Sequence, residues 1–343
     1  MTKPGHILVI RFSALGDVAM TVPVLRLLLQ QHPNLQLTFV SLPFHQPLFE
    51  DLERLQFFPA DLKNKYVGLA GLYHLAGDIK KTSNFDAIAD LHDVLRSKII
   101  RNLLPTRKLA VINKGRKQKK ELTRQRDKRV RPLKTTFDRY EEVFAKLGFP
   151  VKLIKTEGIT CLKPDGSLLP VSHSRNQFLG VAPFAKHNAK MYPLERMHQV
   201  VEILAAKSTN QIFLFGSSAE AGVLRSWKQE HQNIHLVAGT LPFSDELNLI
   251  SQMDVMVTMD SANMHLASLY GVPVVSVWGG THPYLGFYGW AQDIENAVQT
   301  DLPCRPSSVF GKKDCPVHGK AGCMQEISPQ MIVAQVEKIV NKH

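Results

Sequence analysis

The sequence predicts an α/β protein of two similar units with a ligand cleft between them, and three observations carry that expectation. Short apolar runs, with the length and β-branched content of buried strands, alternate with amphipathic segments of helical period in both halves. A polar stretch from Lys155 to Asn176, punctuated by Pro164, Gly166 and Pro170, separates the halves without periodicity of its own. At 343 residues the chain is long enough to bury two cores.

Taken in order, His6 to Arg11 reads as a strand, and Phe12 to Val18 (FSALGDV) as the turn after it, with Gly16 supplying backbone freedom. One helix is expected from about Asp17 to Gln31, with Val18, Val22, Leu25 and Leu29 on a common face. Leu35 to Ser41 and Ala87 to Leu91 are strands on either side of a helix from Leu69 to Lys81, and Leu109 to Ile112 closes the first series. Phe137 to Leu147 is a helix stopped by Gly148 and Pro150. The second series runs strand Phe178 to Ala182, helix Leu194 to Ala206, strand Gln211 to Phe215, helix Ala219 to Gln229, strand Ile234 to Val237 and helix Ser244 to Ser251. Gln330 to Asn341 is a final amphipathic helix. These boundaries place an N-terminal domain at 1–160, a linker at 161–176, a second domain at 177–326 and a terminal helix at 327–343.

The stretch Asp254 to Thr281 organises the rest. A buried strand, Val255 to Met259, runs into the N-cap chemistry of Asp260 and Ser261, a short helix from Asn263 to Tyr270, and a second strand, Val274 to Trp278. The helix opens at the carboxyl end of a strand, where open parallel sheets bind ligands. Its first amides, around Ala262 to Met264, suit an anion such as a diphosphate, and Gly279 and Gly280 let backbone approach the same place. Asp17 and the pair His92–Asp93 follow strands of the first series in the same way. Asp17 also suits a plain capping role at a helix start. The turn before it has a single glycine, so it is no dinucleotide fingerprint.

The net charge of +12 points to an acidic partner: nucleic acid, anionic lipid or a phosphorylated substrate. Eleven basic residues lie between Asn113 and Lys134, opposed only by Glu121 and Asp127, so this stretch carries +9 of that charge. Such a run is ordinarily a solvated surface segment, and it attracts anions all the same. It lacks the interleaved aromatics of a single-strand binder and matches no groove-reading motif, so no nucleic-acid partner is expected. No apolar run reaches the roughly 20 residues of a membrane-spanning helix. Lys3 precedes only a short strand, so no signal peptide is read and a cytoplasmic protein is expected. Four cysteines do not make a disulfide framework. Cys304, Cys315, His318 and Cys323 invite a zinc reading, but they lack a C-x-x-C pair, so no metal is expected. Cys161 is expected to be inert.

With these parts in place, the sequence resembles glycosyltransferase family 9, the bacterial heptosyltransferases of lipopolysaccharide synthesis. FSALGDV resembles the family's S-x-G-D turn, Ala189 to Pro193 (AKMYP) its K-x-W-P element with Tyr192 at the aromatic position, and DSANMHLASLYGVPVVSVWGGTHP its D-[ST]-G-x-x-H…P…G-x-T-x-P signature. The resemblance covers nearly the whole chain. It implies two Rossmann-like domains facing a cleft, the glycosyltransferase-B fold, with the last helix packing back on the N-terminal, acceptor-binding domain. By position it implies Asp17 as catalytic base and Lys190 as the lysine on the donor's diphosphate. Asp260, Ser261 and His265 match the donor signature, and Glu220 a glutamate that holds the donor ribose. Ala262 departs from the glycine expected beside Ser261, which keeps the amide but narrows the approach.

Asn263, Met264, Gly280 and Thr281 complete the expected donor contacts. Ser13, His92, Arg96, Lys117, Lys120 and Arg124 are the expected acceptor contacts. Sugar transfer from a nucleotide diphosphate needs a base for the acceptor hydroxyl and charge stabilisation for the leaving group. Direct attack inverts the anomeric centre and needs no second carboxylate. The implied reaction is an inverting, metal-independent transfer without cofactor, with heptose from ADP-heptose as donor. The implied acceptor is an anionic lipid-linked oligosaccharide at the cytoplasmic face of the inner membrane. Two alternatives stay open: a glycosyltransferase using another nucleotide sugar, and a non-catalytic basic protein that binds anions or nucleic acid.

Overall fold

A computed structural model of the chain describes residues 5–154, 169, 176–229, 231–320 and 322–341. The linker expected at 161–176 and Cys161 lie outside these residues, but for positions 169 and 176. The chain forms two compact units, Met1–Lys114 with Thr135–Lys155, and Gly115–Lys134 with Thr156–His343.

In the first unit, β1 (His6–Ile10) is followed by α1 (Leu15–Ala19), α2 (Thr21–Gln31), β2 (Gln36–Ser41), β3 (Leu55–Pro59), α3 (Gly68–Thr82), β4 (Ala87–Asp90), α4 (Leu95–Leu103) and β5 (Lys108–Val111). All five strands are parallel, in the order β3-β2-β1-β4-β5. The strands alternate with helices because parallel neighbours need a crossover connection. The order reverses between β1 and β4, and a parallel sheet offers its ligand crevice at such a point. The helix expected over 17–31 is two helices broken at Met20: Pro23 has no amide to return to Ala19, so the first turn does not run on into the second. β3 carries no clean apolar alternation and was not legible as a strand; it is held as the edge partner of β2.

The basic stretch departs from expectation. Its first part is a helix, α5 (Arg116–Leu122), and residues 115–134 group with the second unit, not with the N-terminal domain. The reason is specific bonding. The Leu133 amide donates to the Tyr284 carbonyl at 2.9 Å, and Lys119, buried, sets its ammonium 3.9 Å from the centroid of the Phe287 ring. The chain then returns to the first unit as α6 (Thr136–Leu147), opened by a Thr135–Asp138 capping box and closed by Gly148 with φ 95°.

In the second unit, β6 (Gln177–Ala182), α7 (Leu194–Ala205), β7 (Asn210–Leu214), α8 (Ala221–Lys228), β8 (Ile234–Leu236) and α9 (Phe243–Ile250) come first. They are followed by β9 (Val255–Met259), α10 (Ala262–Leu269), β10 (Val274–Val277), β11 (Ala297–Val298) and α11 (Pro329–Val340). The six strands are parallel, in the order β11-β10-β9-β6-β7-β8, with the reversal between β6 and β9. α11, which the resemblance implied would pack back on the N-terminal domain, groups with the second unit. Its buried Ile332, Val333, Val336 and Ile339 join the core of Val200, Val201 and Leu204 on α7, and the helix also lies over β9, β10 and β11.

Three histidines sit neutral in this fold. His45 Nδ1 is 2.8 Å from Ser41 Oγ, His92 Nδ1 accepts the Phe12 amide at 3.3 Å, and His282 Nδ1 accepts the Tyr284 amide at 3.1 Å. Burial pushes them down from 6.5, to about 4 for His45 and His282 and, with Arg11 adding to the effect, to about 3 for His92. The unfolded chain therefore binds more protons than the native one below pH 6.5, and stability falls as pH drops from 6.5 towards 4. Half-buried Glu246, pushed up to about 7 by burial, works the other way: its share is present below pH 4.5 and fades as pH rises through 7. The expected outcome is a melting temperature that falls between pH 6.5 and pH 4. His45→Gln and His282→Gln should flatten that fall, and an unchanged slope in both variants would refute the assignment.

Candidate active site

The site residues of the first unit gather at the carboxyl ends of β1 and β4, where its strand order reverses. Asp17 stands in the first turn of α1. Its Oδ2 lies 2.6 Å from Arg11 Nη2 and 3.4 Å from the Ala14 amide, so it is both a capping group and half of an ion pair. The Asp17 side chain keeps about a third of its surface exposed, whereas Arg11 is buried, donates to the Leu91 carbonyl at 2.6 Å and lies 6.0 Å from the Tyr140 ring. Tyr140 Oη in turn donates to the Asp17 carbonyl at 3.0 Å. Burial lowers the Arg11 pKa, and Asp17, with Tyr140 and Asp90 adding to it, more than restores it, so the guanidinium stays charged. The carboxylate is thus held in a fixed direction by a cation that is itself fixed.

The β4 side of this crevice is built by Asp90, which is fully buried. One oxygen accepts the amides of His92 (2.9 Å) and Asp93 (2.8 Å); the other accepts Ser97 Oγ (2.9 Å) and Arg101 Nη1 (2.6 Å). This folds the turn that places His92 against Phe12. Ser13 and Arg96 are exposed on the adjoining loop and on the first turn of α4.

In the second unit, the loop after β6 delivers Lys190 and the end of β9 delivers Asp260, again at a strand-order reversal. Lys190 Nζ lies 2.7 Å from Asp260 Oδ2, and Thr281 Oγ1 donates to the same oxygen at 2.8 Å. Asp260 is buried, with Lys190 only slightly less so. The expected N-cap bond is absent: the Ser261 hydroxyl accepts no amide of α10 and lies instead 3.0 Å from Thr258 Oγ1. The helix start at Ala262, Asn263 and Met264 is therefore left for another acceptor. His265 is buried one turn further on.

Gly280 donates to the Ala189 carbonyl at 2.9 Å, and its own carbonyl accepts the amides of Ser307 and Ser308. At Gly279 a Cβ would fall 2.7 Å from a Met324 side-chain atom and 3.0 Å from the Ala189 carbonyl, so glycine is required for this approach. Glu220 accepts the Ser217 amide and hydroxyl at 2.7 and 2.8 Å through one oxygen, which closes the turn after β7. Tyr192, at the motif's aromatic position, is a core residue: it is fully buried and donates to the Ile327 carbonyl at 2.7 Å.

Lys117, Lys120 and Arg124 are exposed on α5 and just beyond it, in the second unit. Near them, a cavity of about 310 Å³ is lined by Gln118, Arg124, Arg129 and Arg131 together with Glu121 and Asp127.

Four groups important to these sites were not singled out from sequence. Arg11 and Asp90 end their strands as ordinary charged residues, and only the fold shows them buried. Arg305 is buried and forms no ion pair with a carboxylate among the described residues: it donates to the carbonyls of Gly279 (2.6 Å), Thr281 (3.1 Å) and Thr300, and to Gln299 Oε1 (3.1 Å). Lys128, one of eleven basic residues in its stretch, donates to the carbonyls of Pro303 (3.2 Å), Cys304 (2.7 Å) and Pro306 (3.0 Å). The expectation of no metal site also meets a contrary geometry, because Cys304, Cys315, His318 and Cys323 bring their ligand atoms within 4.8 Å of one another. Loop closure, not C-x-x-C spacing, assembles them.

Comparison with known proteins gives this geometry a family. The chain is 24% identical over 332 residues to the lipooligosaccharide heptosyltransferase 2 of Campylobacter jejuni, covering 95% of this chain and 96% of that one. The solved ADP-heptose lipopolysaccharide heptosyltransferase II of E. coli superposes with a TM-score of 0.71 at 16% identity, covering 98% and 99% of the two chains. TibC of enterotoxigenic E. coli, described as an iron-containing dodecameric glycosyltransferase, superposes with a TM-score of 0.59 at 14% identity, over all of this chain and 77% of that one. These likenesses establish the two-sheet α/β architecture of the glycosyltransferase-B type. No helix among the described residues is long and apolar enough to cross a membrane. Residues 44–317, most of the chain, with β3, β4 and β5 of the first sheet and all of the second, match the model of glycosyltransferase family 9 (heptosyltransferase), and the protein belongs to that family of glycosyltransferases.

Proposed function

We propose that this enzyme transfers heptose from ADP-heptose to an anionic, lipid-linked lipopolysaccharide core acceptor, with inversion at the anomeric carbon. The observation that carries the reading is the Lys190–Asp260–Thr281 constellation beside the open start of α10, at the strand-order reversal of a family 9 donor sheet. In this reaction the acceptor hydroxyl attacks the anomeric carbon and gives its proton to Asp17. The bond from that carbon to the diphosphate breaks, and the diphosphate leaves as ADP. Lys190 and the amides of Ala262, Asn263 and Met264 carry the developing charge in place of a metal ion. Asp260 and Thr281 aim Lys190; Ser261, His265 and Gly280 shape the phosphate loop; Glu220 serves the ribose hydroxyls. Ser13, His92 and Arg96 belong to the acceptor side. His92, neutral with Nδ1 accepting from Phe12, carries its proton on Nε2 and serves as a donor.

Lys117, Lys120 and Arg124 draw the anionic acceptor in from a membrane surface, where clustered basic residues contribute about 1 kcal/mol each. Lys119 is excluded from that role by its seat on Phe287. Incubation of the full chain with ADP-heptose and a heptose-deficient core acceptor, read by mass spectrometry, tests the reading. Transfer from ADP-heptose ahead of other nucleotide sugars is expected. Converting Lys117, Lys120 and Arg124 together to Gln should raise the acceptor KM and flatten its salt dependence, with donor KM unchanged. Transfer from a different nucleotide sugar alone would overturn the donor assignment. Absence of transfer, together with salt-sensitive oligonucleotide binding, would overturn the enzyme.

A further inference from the structure

The cluster of Cys304, Cys315, His318 and Cys323 has no part in the transfer chemistry above, and its geometry is demanding. Cys304 Sγ lies 3.8 Å from Cys323 Sγ and 3.4 Å from His318 Nδ1, and Cys315 Sγ lies 3.6 Å from the same nitrogen. An ion bound tetrahedrally, at about 2.3 Å from sulfur and about 2.05 Å from nitrogen, separates its ligands by about 3.8 Å (sulfur to sulfur) and about 3.5 Å (sulfur to nitrogen). These three spacings agree, and all four ligand atoms lie within 4.8 Å of one another, whereas a disulfide needs sulfurs at about 2.05 Å. We propose that these four residues hold one divalent metal ion, zinc by ligand chemistry, which fastens the loop from Gln299 to Met324 beneath the donor site.

The surroundings are built to hold such an ion. The His318 amide points at Cys315 Sγ (3.5 Å), the arrangement of a hydrogen bond to a metal thiolate. The turn is closed by Gly319, with φ 68°, whose amide donates to the Cys315 carbonyl at 2.9 Å. A Cβ on Gly322 would fall 2.2 Å from the His318 Cβ, so only glycine lets the chain double back to Cys323. Cys315 and Cys323 are buried. Three thiolates around a dication leave a net negative charge, and Lys128 and Arg305 supply cations beside it. Lys128 donates to the carbonyl of Cys304 itself, and Arg305 is its chain neighbour. A closed set of one imidazole and three thiolates, with no position left for substrate, is a structural centre.

Its effect reaches the donor residues along the chain. Arg305, next to Cys304, binds the carbonyls of Gly279 and Thr281, and Thr281 holds Asp260. The Ser307 and Ser308 amides bind the Gly280 carbonyl, and Gly311, φ 72°, lies against the Lys190 stem, where a Cβ would come within 2.7 Å. The ion therefore sets the position of the loop on which Lys190 and Thr281 depend. This last step rests on the donor-site reading given above; metal content and thermal stability do not.

The test uses the full chain, purified without chelator in zinc-supplemented buffer, with metal counted by mass spectrometry. About one equivalent of zinc per chain is expected, lost in Cys315→Ser and His318→Ala. Cobalt substitution should give the absorption bands of a tetrahedral thiolate site. Stripping the metal from the wild-type chain should lower its melting temperature and open Cys304 to thiol labelling, a measurement that needs no variant to fold. Gly322→Ala should weaken metal retention without removing a ligand. Donor KM should rise more than kcat falls in the stripped protein; an unchanged donor KM after stripping, in a chain that held stoichiometric metal beforehand, would refute only the link to the donor loop. Stoichiometric iron would uphold the site and displace zinc as its occupant. No metal at stoichiometry, a Cys304–Cys323 disulfide, or full retention in Cys315→Ser would overturn the site.

Discussion

Replacing Asp17 with asparagine is expected to lower kcat by about 10²–10⁴-fold, the usual contribution of a positioned general base, while donor affinity stays unchanged. Asparagine keeps the size and can still cap α1 at the Ala14 amide, but it cannot take the acceptor's proton. The structure adds a consequence that the position of Asp17 in the sequence does not reveal. The Arg11 guanidinium, buried and 2.6 Å from the Asp17 carboxylate, loses its counter-charge and keeps the Leu91 carbonyl. Asp17→Asn should therefore also lower the melting temperature, because a buried cation without its anion is costly. Arg11→Gln separates the two effects. It leaves the carboxylate in place but unaimed, so kcat should fall less than in Asp17→Asn. Turnover by Asp17→Asn within a few-fold of the wild type would remove Asp17 as the base.

Lys190→Ala carries the second large effect. An ammonium facing a diphosphate is worth about 1.5–3 kcal/mol, so affinity for ADP should fall about 10- to 100-fold, and affinity for adenosine, which lacks the diphosphate, much less. The same change leaves the buried Asp260 carboxylate with Thr281 as its remaining side-chain partner among the described residues. Breaking a buried pair from one side costs about 3–5 kcal/mol, so the melting temperature should drop as well. The double variant Lys190→Ala with Asp260→Asn removes the stranded charge. It should recover much of the stability and none of the ADP affinity. Calorimetry on the three variants checks both statements. Equal losses for ADP and adenosine would place Lys190 away from the phosphates.

Much of this was legible in the residues. Apolar runs of strand length, amphipathic segments of helical period, and the Gly148 and Pro150 stop are local signals. They placed most strands and helices of both units within a residue or two. Because ligands of parallel sheets lie beyond the strand ends, the same signals also pointed to the loops holding Asp17, His92 and Asp260. Where local signals conflict, the reading failed. Pro23 divides a run whose periodicity is continuous, and β3 is a strand because β2 offers it an edge, not because of its own pattern.

What the sequence by itself determined is therefore the set of elements and the chemistry carried at their ends: two parallel α/β series, a carboxylate after the first strand, a lysine before Tyr192-Pro193, and an unusually basic stretch. What only the tertiary structure decided is which distant residues share a site. Strand order puts β6 beside β9, and so Lys190 against Asp260 across 70 residues of chain. Bonds from Lys128 and Leu133 draw the basic stretch into the second unit. Folding of the loop after β11 gathers three cysteines and a histidine whose spacing carries no motif. The physical reason is the same in each case. Periodicity and capping are set by neighbours a few residues away, whereas pairing, burial and metal geometry depend on chain closure, which no short window of residues contains.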